Sequence, residues 1–218
     1  MLFRNLAAFL LLPAALLGQT SAPDRTVQGN SITSTHDPAV RITVAKAAHY
    51  AGTERFVLYD VADCEIEVFV EADAAKNVTR LYWIQFEGYL PSKLDLHHTY
   101  DSPRHANFGG WDFYVDTWVR ERDEPIKPGS DRESVERILK SKGYKMPEGM
   151  MYVRLVHLLD SEKRKELMII YGEGLSATGA TAASLKEGGA NFGRWPSLEK
   201  GLVERAKSRV AVEPLSQP

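Results

Sequence analysis

Apolar and polar residues alternate with a period of two along several stretches of the chain, and each such stretch predicts a half-buried β-strand. Residues 111–120 (WDFYVDTWVR) show the pattern most cleanly. Trp111, Phe113, Val115, Thr117 and Val119 project to one side, and Asp112, Tyr114, Asp116, Trp118 and Arg120 to the other. The strand predicted from Cys64 to Glu71 alternates in the same way until Phe69, with Cys64, Ile66, Val68 and Val70 on its apolar side. Aromatic and β-branched residues predict further strands over 55–59, 78–89, 150–159 and 166–171. Residues 60–63, 73–77 and 160–165 are short and polar, as hairpin turns are. Over residues 39–52 two patterns compete. Asp37-Pro38 suits a helix start, whereas Val40, Ile42 and Val44 alternate, and a short strand followed by a loop is the expectation.

Helical periodicity occurs twice. Ser130 and Glu133 have the spacing of a capping box, Val135, Ile138 and Leu139 form an apolar stripe, and Gly143 supplies a stop. A second stripe, Leu198, Leu202, Val203, Ala206 and Val210, follows a cap at Ser197. Between 172 and 193 small residues dominate, predicting a loop with room for a short helix over 181–187. The order strands, helix, two strands, helix predicts an α+β fold: a single antiparallel sheet of about five to six hairpin-connected strands, with the inserted and C-terminal helices packed on one face. The opposite face of that sheet is expected to carry Glu65, Glu67, Asp112, Tyr114, Asp116, Trp118 and Arg154.

The N-terminus departs from these periods. Arg4 precedes an uninterrupted apolar run, residues 6–17, which small residues follow at Gly18, Ser21 and Ala22. This is the layout of a secretory signal peptide, and the run is shorter than the roughly 20 residues a membrane span needs. Residues 1–18 are therefore expected to be removed on export to a periplasmic or extracellular location. Residues 19–37, rich in Ser, Thr and Gln, then read as a flexible leader, 38–213 as one domain and 214–218 as a disordered tail. No stable membrane span is expected after cleavage.

Composition adds two constraints. With 27 basic and 29 acidic residues the net charge is -2, which excludes a polybasic nucleic-acid binder. The lone cysteine, Cys64, excludes an intrachain disulfide framework and reads as an inert core thiol.

Candidate chemistry is confined to two places. Three of the six histidines, His97, His98 and His105, fall in the segment 94–110, with Asp101 and Tyr100 nearby. Imidazole and carboxylate suit acid–base or metal chemistry, so His97, His98, Asp101 and His105 are the catalytic candidates. Their spacing matches no zinc motif, and neither a metal nor any other cofactor is assigned. The second place is the polar side of residues 111–120, where Asp112, Tyr114, Asp116 and Trp118 combine carboxylates with flat rings suited to a sugar or aromatic ligand. An acid from a neighbouring strand, such as Glu65, Glu67 or Glu87, is available to them.

Two formal matches are set aside. Gly172 to Ala177 spells a dinucleotide-loop pattern, but lacks the downstream strand and acid that such a site needs. Asn77-Val78-Thr79 is a glycosylation sequon whose use depends on the host. The functional expectation is an exported binding or interaction module for a small molecule, glycan or protein. A small exported hydrolase using the 94–110 loop, with or without a metal, is the alternative.

Overall fold

The computed structural model describes residues 24–216. The expected export signal, residues 1–18, lies outside them. Seven strands build the main antiparallel sheet: β4 (His49–Leu58), β5 (Ala62–Ala72), β6 (Val78–Tyr89), β7 (His105–Phe108), β8 (Trp111–Glu121), β9 (Gly149–Leu158) and β10 (Lys165–Gly174). Their order across the sheet is β4-β5-β6-β10-β9-β8-β7. Four shorter strands, β1 (Thr26–Gln28), β2 (Ser31–Thr35), β3 (Ala39–Val44) and β11 (Val210–Pro214), form a second sheet in the order β1-β2-β3-β11. The helices are α1 (Asp131–Ser141), the single turn α2 (Ala182–Leu185) and α3 (Trp195–Arg209).

The expected α+β fold on one sheet of five to six strands is therefore corrected to a mostly β protein with two sheets. The stretch 19–37, expected to be leader, supplies β1 and β2, and the chain after Tyr171 supplies β11. The cause lies in the small sheet itself. Its strands are short, β2 is mostly Ser and Thr, and β1, β2 and β11 each commit at most two apolar residues to the core. Ile32, Ile42 and Val212 stand opposite one another on successive strands and are all buried. The pairing of β3 with β11 joins residues near opposite ends of the chain, which no local pattern announces.

Both faces of the main sheet are covered. Ile32, Val40, Ile42 and Val44 of the small sheet pack with Tyr82, Ile84, Phe86, Leu155 and Ile169 of the main sheet, and α3 adds Leu202 and Ala206 to that core. On the other face, Val135, Ile138 and Leu139 of α1 pack with Ile66, Val68, Val70 and Leu81. The two helices thus lie on opposite faces, not on one face as expected. Helix α1 begins as its sequence predicts, with Ser130 accepting a hydrogen bond from the Glu133 amide. The Glu133 carboxylate accepts from Gly129, one residue before the cap, so the reciprocal half of the box is displaced. Where α1 lies on β4, Gly52 sits at a register shift with φ +147, and a Cβ there would stand 3.1 Å from Ile138. Among the described residues no helix is long and apolar enough to cross a membrane.

Candidate binding site

Register decides which side chains share a face, because residues paired directly across antiparallel strands project to the same side. Across the main sheet one row runs Cys64, Glu87, Glu166, Leu158, and the next runs Ile66, Gln85, Met168, Val156, Tyr114. The apolar side of β5 therefore shares the α1 face with the polar side of β8. Glu65 and Glu67, expected beside Asp112 and Asp116, lie instead on the face turned to the small sheet. Of the three acids offered to that strand, only Glu87 is on its face.

Residues 90–104, between β6 and β7, form an irregular strap over one end of the α1 face. Arg164 holds the strap in place: its guanidinium donates to the carbonyls of Leu90, Lys93, Leu94 and Leu96 at 2.8–3.2 Å. The His98 amide donates to the Lys163 carbonyl at 2.7 Å, and the Ser102 hydroxyl donates to the Val115 carbonyl. These bonds turn His98 and Tyr100 inward and leave His97 and Asp101 exposed. His105 sits on β7, exposed, with Nδ1 2.6 Å from Asp112 Oδ2 and its ring against Tyr114. The four loop candidates are thus dispersed: His98 meets Glu166 beneath the strap, His105 meets Asp112 at the exposed margin, and His97 and Asp101 join neither pair.

Beneath the strap, Glu87 and Glu166 are direct cross-strand neighbours on β6 and β10. Glu166 Oε2 accepts from the Tyr100 hydroxyl at 2.7 Å and stands 3.1 Å from His98 Nδ1. Glu87 Oε2 accepts from Gln85 Nε2 at 2.7 Å, and Trp83 Nε1 donates to Gln85 Oε1 at 3.0 Å, which fixes the amide's orientation. Among the described residues, no lysine or arginine forms an ion pair with either carboxylate. Burial pushes Glu166 up to about 8, with the charge of Glu87 adding to the effect, and burial likewise raises Glu87. Burial lowers His98 to about 4. Cys64, next to Glu87 in the same row, is buried and its thiol is pushed up by desolvation, as expected of an inert core thiol.

Further along the same face the floor is aromatic. Trp118 stacks on Tyr152 with ring centroids 5.2 Å apart, and Arg120 lies over both rings. Gly172, directly opposite Tyr152, makes this possible: a Cβ there would stand 2.8 Å from the Tyr152 ring. Gly172 and Gly174 are strand residues, so the formal dinucleotide pattern has no phosphate loop. Arg154 Nη2 donates to Asp116 Oδ2 at 2.7 Å, with its guanidinium over the Tyr100 ring. Tyr100 also contacts Tyr114, and a small cleft lined by Arg120, Arg132, Glu136, Met150 and Tyr152 opens between α1 and the sheet.

Five enclosed side-chain polar atoms have no hydrogen-bond partner among the described residues, and three of them belong to this face or its strap: His98 Nε2, Trp118 Nε1 and Arg154 Nε. An unpaired buried polar group costs about 1–3 kcal/mol, so such groups are uncommon in a finished core. Of the second set of candidates, Tyr114, Asp116 and Trp118 line the face, while Asp112 is exposed at its margin. Tyr100, Tyr152, Glu166 and Gly172 also belong to the site. Nothing local marks them, because their proximity follows from register and from the path of the strap. No family model, curated protein or solved structure matches the chain.

Proposed function

We propose that the protein is an exported binding domain whose ligand is a small sugar-like molecule, received on the α1 face of the main sheet between the strap and α1. One observation carries this reading. Trp118 Nε1 and Arg154 Nε, on the neighbouring strands β8 and β9 and on the same face, are both enclosed and both lack an acceptor. They border an aromatic floor that includes Tyr152 and Tyr114. Two unpaired donors call for acceptor oxygens, and flat rings suit the apolar face of a pyranose. The mixture of Arg120, Arg154 and Asp116 around them suits a neutral polyol better than a strongly charged ligand. The hydrolase alternative has less support, since its four loop residues do not converge: His98 is buried beside Glu166, His105 pairs with Asp112 at the exposed margin, and His97 and Asp101 face outward. The proposal also takes residues 1–18 as the export signal, which N-terminal mass analysis of protein recovered outside the cytoplasm tests.

The binding test is a calorimetric titration of the purified chain with a panel of mono- and disaccharides. At least one is expected to bind saturably, and Trp118→Phe and Arg154→Met are each expected to weaken it about tenfold or more, in step with the roughly 1–3 kcal/mol cost of a lost partner. Lack of binding across the panel, or undiminished binding by both folded variants, contradicts the proposal.

A further inference from the structure

The geometry points to a divalent transition-metal site beneath the strap, formed by Glu87, His98 and Glu166. One ligand atom from each of the three side chains lies within 4.8 Å of the other two, and His98 Nδ1 is already 3.1 Å from Glu166 Oε2. In a tetrahedral site with bonds of about 2.1 Å the ligand atoms stand about 3.4 Å apart, so the widest pair closes by up to about 1.4 Å on binding. The cluster draws on three separate parts of the chain, β6, the strap and β10, and the strap is fixed independently through Arg164.

The second observation concerns the histidine. His98 is 6% exposed, and its Nε2 is enclosed without a partner among the described residues. The ring is buried with its Nδ1 turned to Glu166, and a cation held between Nδ1 and the two carboxylates accounts for that placement. It would also supply the direct cationic partner that no lysine or arginine among the described residues gives these two cross-strand carboxylates. The outer groups are those that commonly orient metal ligands. Tyr100 donates to Glu166, and Gln85, itself held by Trp83, donates to Glu87. Two carboxylates with one imidazole form a hard-to-borderline donor set, which suits Zn2+, Mn2+ or Fe2+ better than a thiolate-seeking ion.

Zn2+ is the probe. The chain is stripped with a chelator and titrated with Zn2+ by calorimetry, while histidine ring signals are followed by NMR. One equivalent is expected to bind and to shift the His98 ring signals but not those of exposed His97. His98→Ala and Glu166→Gln are each expected to weaken binding beyond the roughly 10–100-fold that loss of an outer partner costs, Tyr100→Phe to weaken it within that range, and His97→Ala to leave it unchanged. If His98→Ala does not fold, the ring shifts of the unaltered chain and the Glu87→Gln variant still decide. No saturable Zn2+ binding, or unaltered binding by folded His98→Ala, overturns the site. The inference does not rest on the saccharide reading. Trp118→Phe is expected to bind Zn2+ as the unaltered chain does, so each can fail alone.

Discussion

Glu71 and Glu173 lie on the face of the main sheet turned to the small sheet, and Glu87 and Glu166 lie on the face turned to α1. All four are acids on neighbouring central strands, yet they keep opposite company. Glu71 accepts from Arg80, Tyr82 and Arg209, and Glu173 from Tyr171 and Arg205. Burial pushes Glu71 up, but the bonds from Tyr82 and Arg80 outweigh it and hold the carboxylate below its ordinary range. Glu87 and Glu166 meet an amide, a phenol and an imidazole, and burial raises both. The first face matches its acids with arginines from β6 and α3 and so works as a joint between sheets, although Arg80 Nε and Thr53 Oγ1 stay unpaired there among the described residues. The second leaves donors and acids only partly satisfied, as a surface built to receive something does.

This contrast is broken most severely by Glu71→Gln. It strands Arg80 and Arg209 without their carboxylate and is expected to cost about 3 kcal/mol in urea unfolding. Glu166→Gln, which replaces a raised carboxyl without a lysine or arginine ion pair by an amide of the same shape, is expected to cost about 1 kcal/mol or less in metal-free protein. Equal losses in the two variants would erase the distinction between the faces. Next in size is Gly172→Ala. Its methyl displaces the Tyr152 ring, with an expected loss of about 1–2 kcal/mol and a changed Trp118 environment visible in near-UV circular dichroism. An unchanged spectrum would show that the Trp118–Tyr152 stack does not depend on that glycine.

A smaller effect concerns pH. Glu67, beside Tyr50 on the small-sheet face, is raised from 4.5 to about 7, chiefly by burial. A raised acid holds its proton to higher pH in the folded state than in the unfolded one. Its stabilising contribution is therefore complete below about pH 4.5 and is lost as pH rises through about 7. Glu67→Gln is expected to flatten the fall in stability over that window, measured as urea midpoints across pH, and an unaltered slope would contradict the assignment. The smallest global effect is expected of Arg164→Met. It frees the carbonyls of residues 90–96 and should speed amide exchange at His98 while leaving exchange in β6 and β10 nearly unchanged. Exchange that rises equally throughout would mean that the strap is no separate unit.

Much of this was legible along the chain. The split of β8 into a Phe113–Val115 side and a Tyr114–Trp118 side follows from alternation alone, and Ser130 marks the start of α1. Relations between segments were not legible. Alternation alone groups Glu65 and Glu67 with Asp112, as if polar sides aligned across strands. Both faces of this sheet are covered, however, so polarity no longer tells which side is which, and only the pairing of Ile66 with Gln85 and onward to Tyr114 settles it. The small sheet escaped notice because Ser31 to Thr35 commits only Ile32 and Ser34 to the interior. At the site, His98 and Trp118 stood out by residue type. Glu166 resembled any strand acid until register set it opposite Glu87.

The central claim is that the α1 face is built to receive a ligand, and its indole groups test it directly. Trp83 Nε1 is bonded to Gln85, whereas Trp118 Nε1 is enclosed and unpaired. A saccharide titration followed through the indole N–H signals of labelled protein is expected to shift the Trp118 resonance saturably and leave that of Trp83 in place. A Trp118 resonance that never moves, or one that moves no more than Trp83, would contradict the account.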